Sequence, residues 1–345
     1  MNSRDESIRY EYDFQPEIGE AVDVLPGLKW LRLPLPFMLG HINVWLLRDN
    51  DGWAIVDTGM LNSNTRDTWK NVFTRYLDDA PITRVIVTHM HPDHVGCAGW
   101  LCERFTVGLS MSREEYLLCR ILVADTGKPV PEAGRRFYHA AGFAEEQMTH
   151  YQQMFGSFGK FVAALPESFH RLVDGDRFPI GDQEWQVIIG NGHSLEHACL
   201  YCPEQNVLIS GDQILPTISS NVSVFPTEPG ANSLADWLNS LQHLKEVLPE
   251  DVLVLPSHGK PFRGVKIRLN ELIAEHQTGL DKLKVLCQEP QRAVDVFPAL
   301  FKSKITNNNL IMATGEALAH LNYLIDKGEM QIARNENGVH WYQSN

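Results

Sequence analysis

Residues 88–96 read THMHPDHVG, and this stretch decides the fold of the chain. It follows the apolar run 85–87, which is typical of a buried strand. Imidazole and carboxylate side chains suit zinc and related first-row metals. In an extended chain every second side chain points to the same side, so His89, His91 and Asp93 would face one way. A turn at Pro92 would bring His94 to the same point. The stretch thus carries four candidate metal ligands within six positions: His89, His91, Asp93 and His94.

Three further strand-like runs each lead into one potential ligand. Each ligand has a small residue beside it, which allows a tight turn out of the strand. Four strand ends carrying seven potential ligands favour one metal site over a polar loop that is merely rich in histidine. The runs and their ligands are 187–189 before His193, 207–209 before Asp212, and 252–255 before His258.

Together these motifs resemble the metallo-β-lactamase superfamily, whose early strand-turn is also matched by residues 56–59. The resemblance covers about residues 25–265. It implies an α/β fold of four layers, an αβ/βα sandwich in which two mixed sheets face each other and helices lie outside. We therefore expect a catalytic domain over residues 1–265, with the metals at one edge of the sandwich.

The same resemblance implies two divalent metal ions and assigns their ligands. Zinc is the first expectation, with manganese or iron as alternatives. The implied ligands are His89, His91 and His193 for one ion, Asp93, His94 and His258 for the other, and Asp212 as the bridge between them.

Two divalent ions that share a water lower its pKa toward neutrality and give a bridging hydroxide, which attacks an electrophilic carbonyl or phosphorus. Asp93 is the candidate catalytic residue, because one carboxylate oxygen can face the water while the other binds metal. A role as a ligand alone is equally compatible with the sequence.

Composition predicts a cytoplasmic enzyme that acts on a small molecule. The 345 residues contain no run of 18 apolar residues, and the polar first residues 1–7 lack the apolar region of a signal peptide. That separates the chain from secreted β-lactamases. The net charge of −13 repels polyanions, so it argues against a nucleic-acid partner. The six cysteines have no framework spacing and are expected to be reduced.

Three regions are candidate walls of a substrate pocket. The helical insertion 112–165 is aromatic-rich and could cap the site, although core packing is favoured for each single aromatic residue. The loop 34–40 often overhangs the metals in the family, and the loop 217–223 offers polar groups or is simply rich in turns. The candidate contacts from these two loops are Phe37, Met38, Ser220 and Asn221.

Lys260 and Arg263, just past His258, could meet an anionic carrier such as coenzyme A or glutathione. Ordinary surface charge explains them equally well.

Residues 266–345 are predicted to form a separate module of helices followed by a hairpin that turns at 336–338. Helices followed by a hairpin resemble the small winged-helix domain of some superfamily members. The module is neutral, with nine Lys and Arg against nine Asp and Glu, whereas nucleic-acid binders show a basic face. Packing on the catalytic domain or forming a homodimer is therefore favoured over DNA binding.

The sequence favours a metal-dependent hydrolase of a carboxylic ester bond, with a thioester as first choice. A bridging aspartate such as Asp212 belongs to the thioesterase, lactonase and phosphodiesterase branches rather than to β-lactam hydrolysis. Histidine at position 91 argues against the di-iron oxygen-reducing branch. A lactonase, an RNA or nucleotide phosphodiesterase, a mono-iron persulfide dioxygenase and a metal-binding regulatory protein without turnover stay open as alternatives.

We expect purified protein to hold about two divalent ions per chain, because seven ligands of this kind suit two sites. Elemental analysis measures this directly. About one iron per chain with no hydrolysis would instead place the protein in the persulfide-oxidising branch.

Overall fold

The structure is a computed structural model and describes residues 7–36 and 39–345. Its strands are β1 (Arg9–Tyr10), β2 (Ala21–Leu25), β3 (Leu28–Pro34), β4 (His41–Asp49), β5 (Gly52–Val56), β6 (Ile82–Ile86), β7 (Leu109–Met111), β8 (His170–Arg171), β9 (Arg177–Ile180), β10 (Gln183–Gly190), β11 (His197–Cys202), β12 (Val207–Gly211), β13 (Leu253–Pro256), β14 (Phe262–Arg263), β15 (Met330–Arg334) and β16 (His340–Ser344). Its α-helices are α1 (Ser63–Tyr76), α2 (Pro92–Val95), α3 (Ala98–Phe105), α4 (Arg113–Ala124), α5 (Glu132–Ala140), α6 (Glu145–Met154), α7 (Ser233–Val247), α8 (Val265–Leu286), α9 (Phe297–Leu300) and α10 (Leu310–Asp326). None of the described helices is both long and apolar enough to cross a membrane.

Two seven-stranded sheets form the centre of the molecule. The first has the order β2-β3-β4-β5-β6-β7-β8, and the second has the order β1-β14-β13-β12-β11-β10-β9. Their facing sides share a buried apolar core that includes Trp30, Trp45 and Trp185. Alternating apolar residues along the strands supply this core from both sides.

Helices cover the outer face of each sheet. The first sheet packs against α1, α3 and α4 through residues such as Trp69 and Leu101. The second packs against α7, α8 and α10 through residues such as Trp237 and Leu269. The predicted four-layer αβ/βα sandwich is therefore confirmed.

The direction of the strands brings the predicted ligands to one edge. Strand β5 runs parallel to β6, and β12 runs parallel to β13, so the strands of each pair end side by side. Strand β10 is antiparallel to β11, which is antiparallel to β12, so β10 ends in the same direction as β12. The carboxyl ends of parallel strands are where open α/β sheets bind ligands.

Residues 7–25, which precede β3, contain two strands that the sequence did not predict. Strand β1 pairs with β14 at the edge of the second sheet, and β2 pairs with β3 at the edge of the first. Tyr12 between them donates its hydroxyl proton to the carbonyl of Val24 at 2.7 Å. Strand β1 is only two residues long and both of its residues are exposed, so it shows no apolar pattern.

The insertion 112–165 is helical as predicted, in α4, α5 and α6 with a break between α4 and α5. Its buried aromatics Tyr138, Phe143 and Tyr151 pack with Leu310 at the start of α10. Among the described contacts these aromatics form a core with the C-terminal helices. The structure therefore favours a packing role for them over the expected role as a cap on the metal site.

The C-terminal region consists of α8, α9, α10 and the hairpin β15–β16, as the sequence predicted. Leu280 of α8, Leu321 of α10 and Tyr342 of β16 belong to the same apolar cluster as Trp237 of α7. The region therefore shares a continuous core with the second half of the sandwich. The division at residue 265 and the winged-helix identity stay predictions.

A chain of hydrogen bonds through two buried histidines joins α8 to α10. His276 and His320 are 4% and 2% exposed, and Nδ1 of His276 lies 3.1 Å from Nε2 of His320. His320 donates its Nδ1 proton to the carbonyl of Glu316 at 2.8 Å, so its Nε2 is the acceptor in the pair. The remaining nitrogen of His276 then accepts from the hydroxyl of Ser219 at 3.3 Å. Each ring carries one proton in this arrangement, which fits two neutral imidazoles.

We expect the pair to make stability fall in mild acid. Burial lowers the pKa of His276 to about 3, helped by the neighbouring His320, and burial lowers the pKa of His320 to about 4. Because both folded values lie below the ordinary 6.5, the unfolded chain takes up protons first, so the stability contributed above pH 6.5 is lost as the pH falls toward 4. The expected slope is about 1.4 kcal/mol per pH unit for each histidine.

The measurement is the melting temperature of metal-free protein between pH 7 and about pH 5, for the natural chain and for His320→Gln. The melting temperature of the variant should fall less steeply with falling pH, because the variant lacks one of the two histidines. The other buried histidines are common to both proteins. Parallel curves would contradict the assignment.

Candidate metal centre

The seven predicted ligands come together at the edge of the sandwich. They form three overlapping groups, and within each group the ligand atoms lie within 4.8 Å of one another. The groups are His89 with His91 and His193, Asp93 with His94 and His258, and His89 with His94 and Asp212.

The first group presents three ring nitrogens to one point. Nε2 of His89 lies 2.8 Å from Nδ1 of His91 and 3.3 Å from Nε2 of His193. Burial, together with neighbouring histidines, lowers the pKa of His91 to about 3 and that of His89 well below its ordinary value, so these rings are neutral. A zinc ion bound at about 2.0–2.1 Å by each nitrogen would hold the nitrogens about 3.3 Å apart, which matches the distance from His89 to His193 and is wider than that from His89 to His91.

The second group combines two imidazoles with one carboxylate. Nε2 of His258 lies 3.4 Å from Oδ2 of Asp93, and Nε2 of His94 lies 3.7 Å from the same oxygen. Burial alone would lower the pKa of His94, but Asp212, Asp57 and Asp93 raise it well above the ordinary value. The negative field that stabilises a proton on this ring equally stabilises a cation beside it.

Asp212 lies between the two groups and faces each with a different oxygen. Its Oδ2 is 3.6 Å from Nε2 of His193, and its Oδ1 is 3.5 Å from Nε2 of His94 and 3.6 Å from Nε2 of His258. Oδ1 of Asp212 and Nε2 of His94 are buried and have no hydrogen-bond partner. Buried polar atoms without partners are costly, so two such atoms facing each other indicate that a ligand belongs there. The donor set thus fits two divalent ions with Asp212 between them.

Three of the histidines are held in one tautomer by an acceptor outside the cluster. The Nδ1 protons of His94, His193 and His258 are donated to the Asp57 carboxylate at 2.8 Å, the Asn221 carbonyl at 2.8 Å and the His41 carbonyl at 3.0 Å. Each Nε2 is therefore the nitrogen that faces the cluster and is available to a metal ion that displaces its proton. This arrangement orients metal-binding histidines and increases their basicity.

The expected alternation along residues 89–93 is wrong in one part. Residues 92–95 form the short helix α2, with Pro92 at its first position and His91 just before it. Proline favours the first turn of a helix because its fixed φ suits that position and it has no N–H to satisfy. Asp93 and His94 therefore project from a helical turn toward the second group, while His89 and His91 belong to the first.

Sequence reasoning named Asp57 only as part of a turn and missed its contact with His94. Asp57 has a positive φ of 64° and also accepts hydrogen bonds from the backbone N–H of Thr88 at 2.8 Å and from its hydroxyl. It therefore fixes the start of the ligand loop as well as one ligand.

Two further buried residues that the sequence did not single out support the ligand loops. Glu115 on α4 accepts from the N–H groups of Met90 and Glu196, both at 2.9 Å, and so ties the loop 88–94 to the segment after His193. His197 accepts from the N–H of Asp212 at 3.0 Å. Sequence signals for them are weak, because each acts across a long chain separation.

The predicted substrate contacts have mixed outcomes. Phe37 and Met38 lie outside the described residues. Ser220 donates its hydroxyl proton to the carbonyl of Asp212, and the carbonyl of Asn221 holds His193, so this loop supports two ligands.

The two basic candidates have protein partners. Arg263 forms an ion pair with Glu11 at 2.8 Å, and Lys260 donates to the carbonyl of Asp13 at 3.1 Å. The expected contact of Lys260 and Arg263 with an anionic carrier stays a prediction.

Residues 38–258 match the Metallo-beta-lactamase superfamily, and residues 280–345 match the family described as Metallo-beta-lactamase-like, C-terminal domain. The chain belongs to the metallo-beta-lactamase superfamily. The recognition from the histidine-rich stretch is thereby confirmed. Within this superfamily most members are hydrolases, and the fold implies divalent metal ions.

Solved superfamily structures resemble this one over nearly its whole length. A beta-lactamase domain protein from Burkholderia ambifaria is 40% identical, with a TM-score of 0.90 and 98% of each chain covered. A metallo-beta-lactamase family protein from Thermus thermophilus is 26% identical, with a TM-score of 0.80, over 94% of this chain and 100% of its own. Among curated proteins, the human protein named acyl-coenzyme A thioesterase MBLAC2 is 22% identical, over 68% of this chain and 79% of its own length.

We expect His91→Ala and Asp212→Ala to abolish metal-dependent turnover, and His91→Ala to lower the metal content from about two ions to about one. His91 sits among other neutral imidazoles, so its removal should change the melting temperature of the metal-free protein by no more than about 3 °C. Elemental analysis, turnover and thermal melts of each variant test this.

His243→Ala is the matched control, since His243 is an exposed histidine on α7. It should keep the full metal content. Normal turnover in either ligand variant would exclude this cluster as the reactive centre.

Proposed function

We propose that the chain is a dinuclear metal-dependent hydrolase that cleaves a carboxylic thioester of the acyl-coenzyme A or glutathione type. The observation that carries the proposal is the position of Asp212, whose two oxygens face separate groups of ligands. A carboxylate so placed can bridge two ions, zinc in the first instance.

The ligand assignment follows from the groups. His89, His91 and His193 would hold one ion, and Asp93, His94 and His258 the other, with Asp212 shared. Held by these residues, two divalent ions would supply a shared water of lowered pKa, able to act as a nucleophile toward a carbonyl carbon.

The chain's own residues would orient that water and handle its proton. The side chain of Asp93 is 20% exposed, against 11% for Asp212 and 6% for His258. Its Oδ2 faces His258, and its carboxyl is therefore the group best placed to take a proton from the water and pass it to the leaving thiolate. His94 and His258, held by Asp57 and His41, keep that carboxylate in place.

Exposed apolar side chains close to the ligands support an acyl substrate. Leu195 lies two residues after His193, Ile218 lies in the loop after Asp212, and the carbonyl of Met312 lies 3.4 Å from the amide nitrogen of Asn221. These three side chains are 42%, 43% and 51% exposed, so they are open to contact with a substrate. The human relative named as an acyl-coenzyme A thioesterase supports the same substrate class.

The test is a panel of a thioester, a lactone and a bis-phosphodiester, each assayed with the zinc-loaded protein and with the same protein after chelation. We expect thiol release from the acyl-coenzyme A substrate, and loss of that activity on chelation. Turnover confined to the lactone or the phosphodiester would overturn the thioester proposal in favour of that branch.

Leu195→Ser tests the acyl wall within the same assay. Loss of apolar contact worth about 1 kcal/mol should raise KM for a long acyl chain about fivefold, with a smaller effect on a short chain and little change in kcat. Val285→Ser on α8 is the matched control, because Val285 is 68% exposed and belongs to no ligand loop. Equal effects on long and short chains would show that Leu195 does not contact the acyl group.

A further inference from the structure

The segment that supports the metal ligands is itself held by the C-terminal helix α10. Val224 donates its N–H to the carbonyl of Gly315 at 3.1 Å, and Asn322 donates its amide protons to the carbonyl of Ala231 at 2.9 Å. A Cβ at Gly315 would collide with the side chain of Ser223, so helix and segment are in closest contact there. The loop after Asp212 is therefore fitted against α10 rather than lying free at the surface.

Within this contact one side chain of α10 reaches the residue that orients His193. Glu316 accepts a hydrogen bond from the side-chain amide of Asn221 at 2.6 Å, and the backbone carbonyl of the same Asn221 accepts the Nδ1 proton of His193 at 2.8 Å. Asn221 is additionally held through its side-chain oxygen, which accepts from the hydroxyl of Ser223. Two hydrogen bonds, one to the side chain and one to the backbone of Asn221, thus connect α10 to the candidate metal ligand His193.

A second connection holds the same loop two residues earlier. Ser219 donates to His276, which in turn is bonded to His320 on α10. Because the loop is fixed at Ser219 and again at Asn221, the carbonyl of Asn221 has little freedom to turn away from His193.

We infer that Glu316 is a positioning residue for the metal centre: through Asn221 it fixes the ring of His193, so that the C-terminal region completes the ligand set of the first ion. The inference rests on the proposed metal centre but not on the identity of its substrate. It assigns to residues 266–345 a part in metal binding beyond packing.

The placement of this carboxylate supports a dedicated role. Burial raises the pKa of Glu316 to about 7, while the hydrogen bond from Asn221 lowers it. A buried carboxyl is costly unless it is hydrogen-bonded, so its contact with Asn221 is a specific one. Outer partners of metal-binding histidines commonly change metal affinity on the order of 10- to 100-fold when removed.

The experiment measures zinc affinity by competition with a chromophoric chelator, independently of any turnover. Glu316→Ala should weaken binding of one of the two ions on the order of 10- to 100-fold. Glu316→Gln keeps an oxygen that can accept from Asn221, so it should remain close to the natural chain. Glu336→Ala, at the exposed turn of the C-terminal hairpin, is the matched control and should have no effect.

A structural defect is separated from positioning in two ways. The melting temperature of the metal-free protein shows whether Glu316→Ala destabilises the fold, and Asn221→Ala, which leaves α10 unchanged, provides an independent test. The double variant should be no weaker than the stronger single variant, because both substitutions break the same connection.

The outcomes are distinct. Zinc affinity equal to that of the natural chain in both Glu316→Ala and Asn221→Ala would overturn the inference. A natural chain that binds two zinc ions but cleaves no thioester would refute the proposed substrate and leave the inference to be judged by the affinities alone. A natural chain that binds no zinc would refute both.

Discussion

The metal centre depends on one constraint, which is that each histidine must present an unprotonated nitrogen to the cluster. An acceptor for the other nitrogen selects the tautomer that does so and fixes the direction of the ring. The structure provides such acceptors for His94, His193 and His258 in a carboxylate and two backbone carbonyls. The surrounding loops can be understood as the means of holding these three acceptors in place.

The sandwich supplies two of the three acceptors directly. Asp57 follows the end of β5, and the carbonyl of His41 is at the start of β4, so both belong to the first sheet. Asn43, two residues along β4, donates from its side chain to the carbonyls of Pro256 and Gly259, each at 2.8 Å, on either side of His258. The two sheets are thus joined by hydrogen bonds at the edge where His94 and His258 lie. The third acceptor, Asn221, is on a loop and needs support from elsewhere.

The ligand residues could be predicted from the sequence because each lies within a few residues of the end of a strand. The apolar run and the ligand that follows it are within a few residues of one another, and periodicity shows the strand. The same locality explains why the C-terminal hairpin was predicted correctly, with its turn between β15 and β16.

The supporting residues could not be predicted, because their contacts join distant parts of the chain. Asp57 and His94 are 37 residues apart, and Asn221 and Glu316 are 95 apart. Nothing in the local pattern around Glu316 separates it from an ordinary polar residue on an amphipathic helix. The aromatics of the insertion were recognisable as apolar, but periodicity does not tell which surface they face. It is the packing of α10 that decides this for Tyr138 and Tyr151.

The two halves of the centre therefore differ in how they are built. The ring of His94 is fixed by a residue of the first sheet, and the ring of His258 by the first residue of β4. The ring of His193 is fixed by a loop that α8 and α10 hold from the outer face of the second sheet. The orientation of His193 is consequently tied to the packing of a helix more than 100 positions downstream. The packing of α10 against α7 and α8 therefore affects the metal centre through the loop that holds His193.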